Sequence, residues 1–165
     1  MSLNRPDHTS NEGIQLQKGA FVVLVKTEWN NEIVDALEAG AIDILSKQEI
    51  SYKTITVPGA FEISFAIKDY WENADEMPAA FIALGCVLRG DTPHFDYECK
   101  AVTDGVVQLN LQMPVPTIFG VLTVDTSEQA MERIGGKHGH KGEEAAVTAL
   151  KMMALSQSFK SHTAR

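Results

Sequence analysis

No apolar run in this chain approaches the ~20 residues needed to span a bilayer. The start, MSLNRPDHTSNEGIQLQKG, lacks the apolar core of a signal peptide. Both absences lead us to expect a cytoplasmic protein with no membrane partner. Positive charge is scarce: 14 Lys and Arg stand against 22 Asp and Glu, a net charge of −8. That balance offers no general basic field for a nucleic acid, although a local cationic pocket remains compatible with it. Cysteine is limited to Cys86 and Cys99, both in apolar contexts and without metal-ligand spacing. Buried free thiols in a reducing compartment are expected, and no metal site. Internal repeats and linkers are also missing, and 165 residues suit one domain. We expect that domain over residues 14–157, with flexible segments at 1–13 and 158–165.

What is present is alternation. Phe21–Lys26 (FVVLVK), Tyr52–Val57 (YKTITV), Ala79–Leu84 and Thr117–Thr123 (TIFGVLT) read as strands. Between them, Asn31–Lys47 carries apolar residues at helical spacing, at Ile33, Val34, Leu37, Ala41, Ile44 and Leu45. AFEISFAIKDYW (60–71) and the segment holding Phe95, Cys99, Val102, Val106 and Leu109 read as two more helices. Ser127–Ile134 predicts a short helix and Gly142–Gln157 a longer Ala-rich one. The order βαβαβαβα implies an α/β fold, a mainly parallel sheet with helices on both faces. Ligands in such folds bind beyond the carboxyl ends of the strands. That rim collects Thr27–Asn30, Pro58–Glu62, Gly85–His94 and Val124–Ser127. A four-stranded sheet is narrow, so an oligomer that covers its edges is expected.

Each rim segment has a plain structural explanation and a functional one. In TEWN, Asn30 or Asn31 suits a helix N-cap beside a packing Trp29; Trp29 would equally serve as a platform for a planar ring. In VPGAFE, Gly59 permits close backbone approach, and amides at the helix start suit hydroxyls or an anion. Glu62 in the first turn complements the helix dipole, which leaves the neighbouring Phe61 unexplained. In RGDTPH, Asp91 or Thr92 suits an N-cap and Pro93 a first turn. His94 fits that account poorly, because the dipole disfavours a cation there. The same field favours a neutral imidazole, which is what a general base requires. Asp91 and Thr92 would suit a phosphate. In EQAMERIGGKHGHKG, Thr126 and Gln129 fit a capping box, and Gly135-Gly136 fits a helix C-cap with Arg133 in the last turn. Arg133 and Lys141 are useful cations for an anionic substrate. His138 and His140 lack a third ligand at metal spacing.

The set TEWN, VPGAFEI, ALGCVLRGDTPHFDY, PTIFGVLT, EQAMERIGGKHGHKG and EEAAVTAL, in this order from Phe21 to Ala154, resembles the lumazine synthase family. The resemblance implies a three-layer α/β/α subunit around a four-stranded parallel sheet, flavodoxin-like in order. It implies a transferase of riboflavin biosynthesis that condenses 5-amino-6-ribitylaminouracil with 3,4-dihydroxy-2-butanone 4-phosphate, without metal or organic cofactor. Matched by position, Trp29 stacks on the pyrimidine, while Asn30 and the Gly59, Ala60, Phe61, Glu62 turn hold the ribityl chain. Cys86, Val87 and Leu88 read the pyrimidine edge through backbone. Asp91 and Thr92 form the phosphate loop, and His94 transfers protons. From the adjacent subunit, Phe119 closes the ring pocket, Arg133 binds phosphate and Lys141 contacts the substrates; Glu144 is an acidic neighbour of Arg133. Active sites between subunits of a pentamer are implied, with riboflavin synthase as a further partner. The short GGKHG turn resembles members that build sixty-subunit icosahedral capsids. Departures are Trp29 for a commoner Phe, Ser64 for Pro, Val124 for Thr, and a short connection from Ser46 to Thr54. A non-enzymatic flavin-binding protein would need neither His94 nor Arg133. A different sugar-phosphate enzyme would not need the paired aromatics Trp29 and Phe119.

Overall fold

The structure is a computed structural model, and it describes residues 10–163. The expected flexible segment at 1–13 falls mostly outside the described residues, as does the end of the expected tail. Four strands, β1 (Phe21–Thr27), β2 (Ser51–Val57), β3 (Ala80–Leu88) and β4 (Thr117–Val124), form one parallel sheet in the order β2-β1-β3-β4. Register follows directly: Val22 lies between Tyr52 and Ala80, and Phe81 pairs with Thr117. The central strands are the most apolar, and Ala80–Val87 is buried throughout. β2 is a largely exposed edge.

Strand alternation divides the core between the two sheet faces. Val22, Leu24, Ile82 and Leu84 pack with α1 (Asn31–Lys47) and α5 (Lys141–Thr163). Val23, Val25, Phe81 and Ala83 pack with α2 (Ile63–Asn73) and α3 (His94–Gln112). The three-layer α/β/α arrangement expected from the alternation is therefore present. Before β1, Ile14, Leu16 and Ala20 pack on the first face, and the Gln17 amide donates to the Gln157 side chain at 2.8 Å. At the far end, the Asn110 amide brackets Thr117, donating to its carbonyl and accepting from its N–H, both at 2.9 Å.

Four local readings change. β3 runs to Leu88 rather than Leu84, because β4 continues to pair with it from Gly85 to Leu88 and its rim residues Cys86 and Val87 are buried. The short helix α4 (Ser127–Met131) stops before Ile134. Gly135-Gly136 is not its C-cap but part of a hairpin, β5 (Ile134–Gly136) and β6 (Gly139–His140). Gly135 at φ 104° and Gly139 at φ 85° supply the left-handed conformations that this tight return needs. The last helix also runs past Gln157 to Thr163.

The hairpin is anchored by close packing of α5 on α1. A Cβ at Gly142 would fall 2.0 Å from the Leu37 carbonyl oxygen, and one at Gly40 would fall 2.2 Å from the His140 ring. The Leu37 obstacle is backbone and cannot swing away. We expect Gly142→Ala to cost about 1–3 kcal/mol through forced separation of the two helices. Differential scanning calorimetry should show the melting temperature falling by roughly 2–12 °C; an unchanged value would refute the close approach.

Candidate active site

Because all four strands are parallel, their carboxyl ends meet at one rim. There, a cavity of about 150 Å³ is lined by Thr27, Trp29 and Asn30 after β1, by Ala60 after β2, and by Cys86–Leu88, Gly90, Thr92, His94, Phe95 and Glu98 at β3 and α3. Eight of the residues singled out in the sequence therefore share one space: Trp29, Asn30, Ala60, Cys86, Val87, Leu88, Thr92 and His94. Trp29 is 73% exposed, so its ring is free to take a stacking partner.

Asn30 takes the cap position of α1 with φ 56° and makes no side-chain cap. Its amide donates instead to the Cys86 carbonyl at 2.8 Å, tying the β1 loop to the end of β3. The left-handed backbone, which Asn tolerates better than most residues, turns the side chain across the rim. Pro93, not Asp91 or Thr92, occupies the cap of α3, because the helix begins at His94. Thr92 Oγ accepts weakly from the His94 amide at 3.4 Å. Glu62 does more than complement a dipole: its carboxylate accepts from the Gly59 amide at 3.0 Å, which occupies that N–H. Phe61, Glu62 and Asp91 do not line the cavity. A short 3-10 turn, Ala60–Glu62, precedes α2 and carries Phe61 outward, 63% exposed.

Phe119, Arg133 and Lys141 lie elsewhere, lining a separate cavity of about 540 Å³ beside β4 with Gln129, Glu132 and His138. Arg133 is held by Glu144 through two contacts, 3.3 and 3.2 Å, and also donates to the His138 carbonyl. The acidic neighbour expected at Glu144 is thus in direct contact. Lys141 follows the hairpin, its amide bonded to the Arg133 carbonyl at 2.7 Å. His138 meets Glu132 at 3.2 Å while His140 packs over Gly40, so the two imidazoles diverge.

Arg89 braces the rim. It bonds Asp125 at 2.6 Å, reaches Asp96 at 3.4 Å, and stands 4.1 Å over the Phe95 ring. These contacts join the ends of β3 and β4 to the first turn of α3. Sequence reading missed Arg89, Phe95 and Glu98. The signal for Glu98 was present: it lies four residues after His94, one helical turn along the same face.

Comparison with known proteins places these residues in context. Residues 19–157 match the family model for 6,7-dimethyl-8-ribityllumazine synthase. A protein of that name from Porphyromonas gingivalis is 50% identical over 149 residues, covering 88% of this chain and 91% of its own. Like-named proteins from Parabacteroides distasonis and Bacteroides fragilis are each 48% identical, over 81% and 79% of this chain and 84% and 92% of theirs.

The cavity wall carries a titratable probe. Burial pushes the Cys86 thiol up from 9.0 to about 11. The unfolded chain therefore loses this proton at a lower pH than the folded one. The stabilisation is intact below about pH 9 and is lost as pH rises to about 11, to an extent of about 2–3 kcal/mol. Melting temperature followed from pH 8 to 11 should fall less steeply for Cys86→Ala than for the parent chain. Parallel curves would refute burial of this thiol.

Proposed function

The chain belongs to the 6,7-dimethyl-8-ribityllumazine synthase family, and we infer from this that it condenses 5-amino-6-ribitylaminouracil with 3,4-dihydroxy-2-butanone 4-phosphate, releasing phosphate and water. The observation that carries the residue assignment is the shared cavity of Trp29, Cys86–Leu88, Thr92 and His94 at the strand ends. Trp29 stacks on the pyrimidine, and the backbone of Cys86, Val87 and Leu88 reads its edge. Ala60, the Gly59–Glu62 turn and the Asn30 carbonyl oxygen take the ribityl hydroxyls. Asp91 and Thr92, beside the first turn of α3, take the phosphate.

The amine attacks the ketone to form an imine, phosphate leaves by elimination, and the second amine closes the ring. Each step moves a proton. His94 serves as base and then as acid, because it borders the space where both substrates meet. Arg133 meets the departing phosphate as a bidentate partner. Holding two reactive molecules in register supplies much of the remaining rate.

Arg133, Lys141 and Phe119 line a different cavity from His94 on the same chain. We assign them to the site of the next subunit, so that one active site is built from two chains. The surface supports this arrangement. Among the described residues β4 pairs on one side only. α2 and α3 expose Phe65, Tyr97 and Leu111, while α5 exposes Met152 and Leu155 beside β4. Two different apolar surfaces suit a head-to-tail contact, which closes into a ring when the rotation between neighbours completes a circle. A pentamer is the ring the family suggests, and the short Gly135–Gly139 hairpin suits closer assembly into a sixty-subunit capsid. A cytoplasmic location and riboflavin synthase as recipient of the product complete the reading.

The two-chain site is tested by complementation. Formation of the lumazine is followed by its absorbance and fluorescence. His94→Ala and Arg133→Ala should each lower kcat, the first by roughly 10²-fold. Co-refolded in equal amounts, the two variants should recover about a quarter of the parent activity, because one interface in four then pairs two intact halves. No recovery would place the whole site within one chain, and parent-like rates in either variant would remove that residue from the mechanism.

A further inference from the structure

One ionisable side chain of the His94 cavity has no task in this scheme. Among the described residues lining that cavity, Glu98 is the sole carboxylate and His94 the sole imidazole. Glu98 Oε2 lies 3.6 Å from His94 Nε2. The Glu98 side chain is only 22% exposed, against 74% for His94. Its other oxygen faces the β2 loop, where a Cβ built on Gly59 would stand 3.9 Å away. The carboxylate is thus held between α3 and the Gly59 turn while the imidazole projects toward solvent.

Such a position is unfavourable for an anion unless a cation meets it. Its one ionic neighbour among the described residues is His94. Arg89, near the same turn, is already engaged by Asp96 and Asp125, and Glu62 is engaged by the Gly59 amide. Cys86, the remaining titratable group of the cavity wall, carries a neutral thiol. The separation of 3.6 Å is longer than a hydrogen bond between neutral groups but within ion-pair reach. The contact therefore strengthens when the imidazole gains a proton. An interaction that strengthens along the reaction coordinate accelerates the step, whereas one of constant strength does not. It also answers the misfit of a proton-accepting His in a helix's first turn: an anion one turn along offsets the positive end of the dipole.

We propose that Glu98 is a positioning residue for proton transfer, orienting the His94 ring through Nε2 and stabilising the imidazolium. Nε2–H directed at Glu98 leaves Nδ1 as the acceptor. The proton that reaches Nδ1 comes from the attacking amine and returns to the carbinol oxygen that departs as water. The proposal rests on the proton-transfer role of His94.

A double-mutant cycle tests it in the assembled protein. Glu98→Gln keeps the shape and removes the charge. It should lower kcat about tenfold, leave KM for the pyrimidine within about twofold, and leave the melting temperature unchanged. In the His94→Ala background, whose residual turnover comes from proximity, the same substitution should change kcat by less than about twofold. Glu98→Asp should recover part of the loss and Glu98→Ala none. If Glu98→Gln turns over like the parent, or slows the chain equally with and without His94, Glu98 does not act through His94 and the proposal is overturned. If His94→Ala itself turns over like the parent, it is the base assignment that fails, and Glu98 falls with it.

Discussion

Strand β3 is the member on which the rest depends. Its residues from Ala80 to Val87 are buried, with β1 paired along Ala80–Leu84 and β4 along Phe81–Leu88. A strand covered on both faces and both edges has no freedom of register: a slip of one residue would exchange the two core faces. The position of its last turn is therefore determined by the whole core. Cys86, Val87 and Leu88 reach the rim at a fixed height, and Arg89 through His94 follow from that point. Asn30 is oriented by the same strand, since its amide bonds the Cys86 carbonyl. The cavity is thus built around one rigid end, which suits a site that must hold two molecules in register.

Polar clamps then adjust what the sheet has placed. Arg89 binds the loop after β4 and the first turn of α3 together, with the Phe95 ring beneath it. Exposed ion pairs contribute little stability singly. Here three contacts converge on one guanidinium, and their effect is to orient the turn carrying His94. Glu144 acts similarly on Arg133, holding its guanidinium by two contacts at the mouth of the second cavity. The turn that carries His94 and the guanidinium of Arg133 are thus each held by contacts between opposite charges.

The fold was legible because its signal is carried by many residues at once. Burial on both faces makes β1 and β3 continuous apolar runs, and one-sided burial gives α1 its stripe at Ile33, Val34, Leu37, Ala41, Ile44 and Leu45. Features set by single long-range contacts were not legible. Asn30 has the composition of a cap, yet its amide goes to a carbonyl 56 positions away. Gly135-Gly136 reads as a helix end, and becomes a hairpin because His140 finds a seat on Gly40. Glu98 reads as one more charge on a helix, and only the depth of the cavity distinguishes it from exposed neighbours such as Asp96 and Lys100.

The two cavities divide their basic side chains between them. A single chain carries Trp29 and His94 at the strand ends, and Arg133 and Lys141 beyond β4. Neither cavity holds Arg133 and His94 together. Glu144 meets Arg133 through two contacts and Glu98 lies 3.6 Å from His94, so a carboxylate of the same chain stands beside each of these two basic side chains. In a chain whose net charge is −8, Arg133 and Lys141 bring two cations to one cavity beside β4.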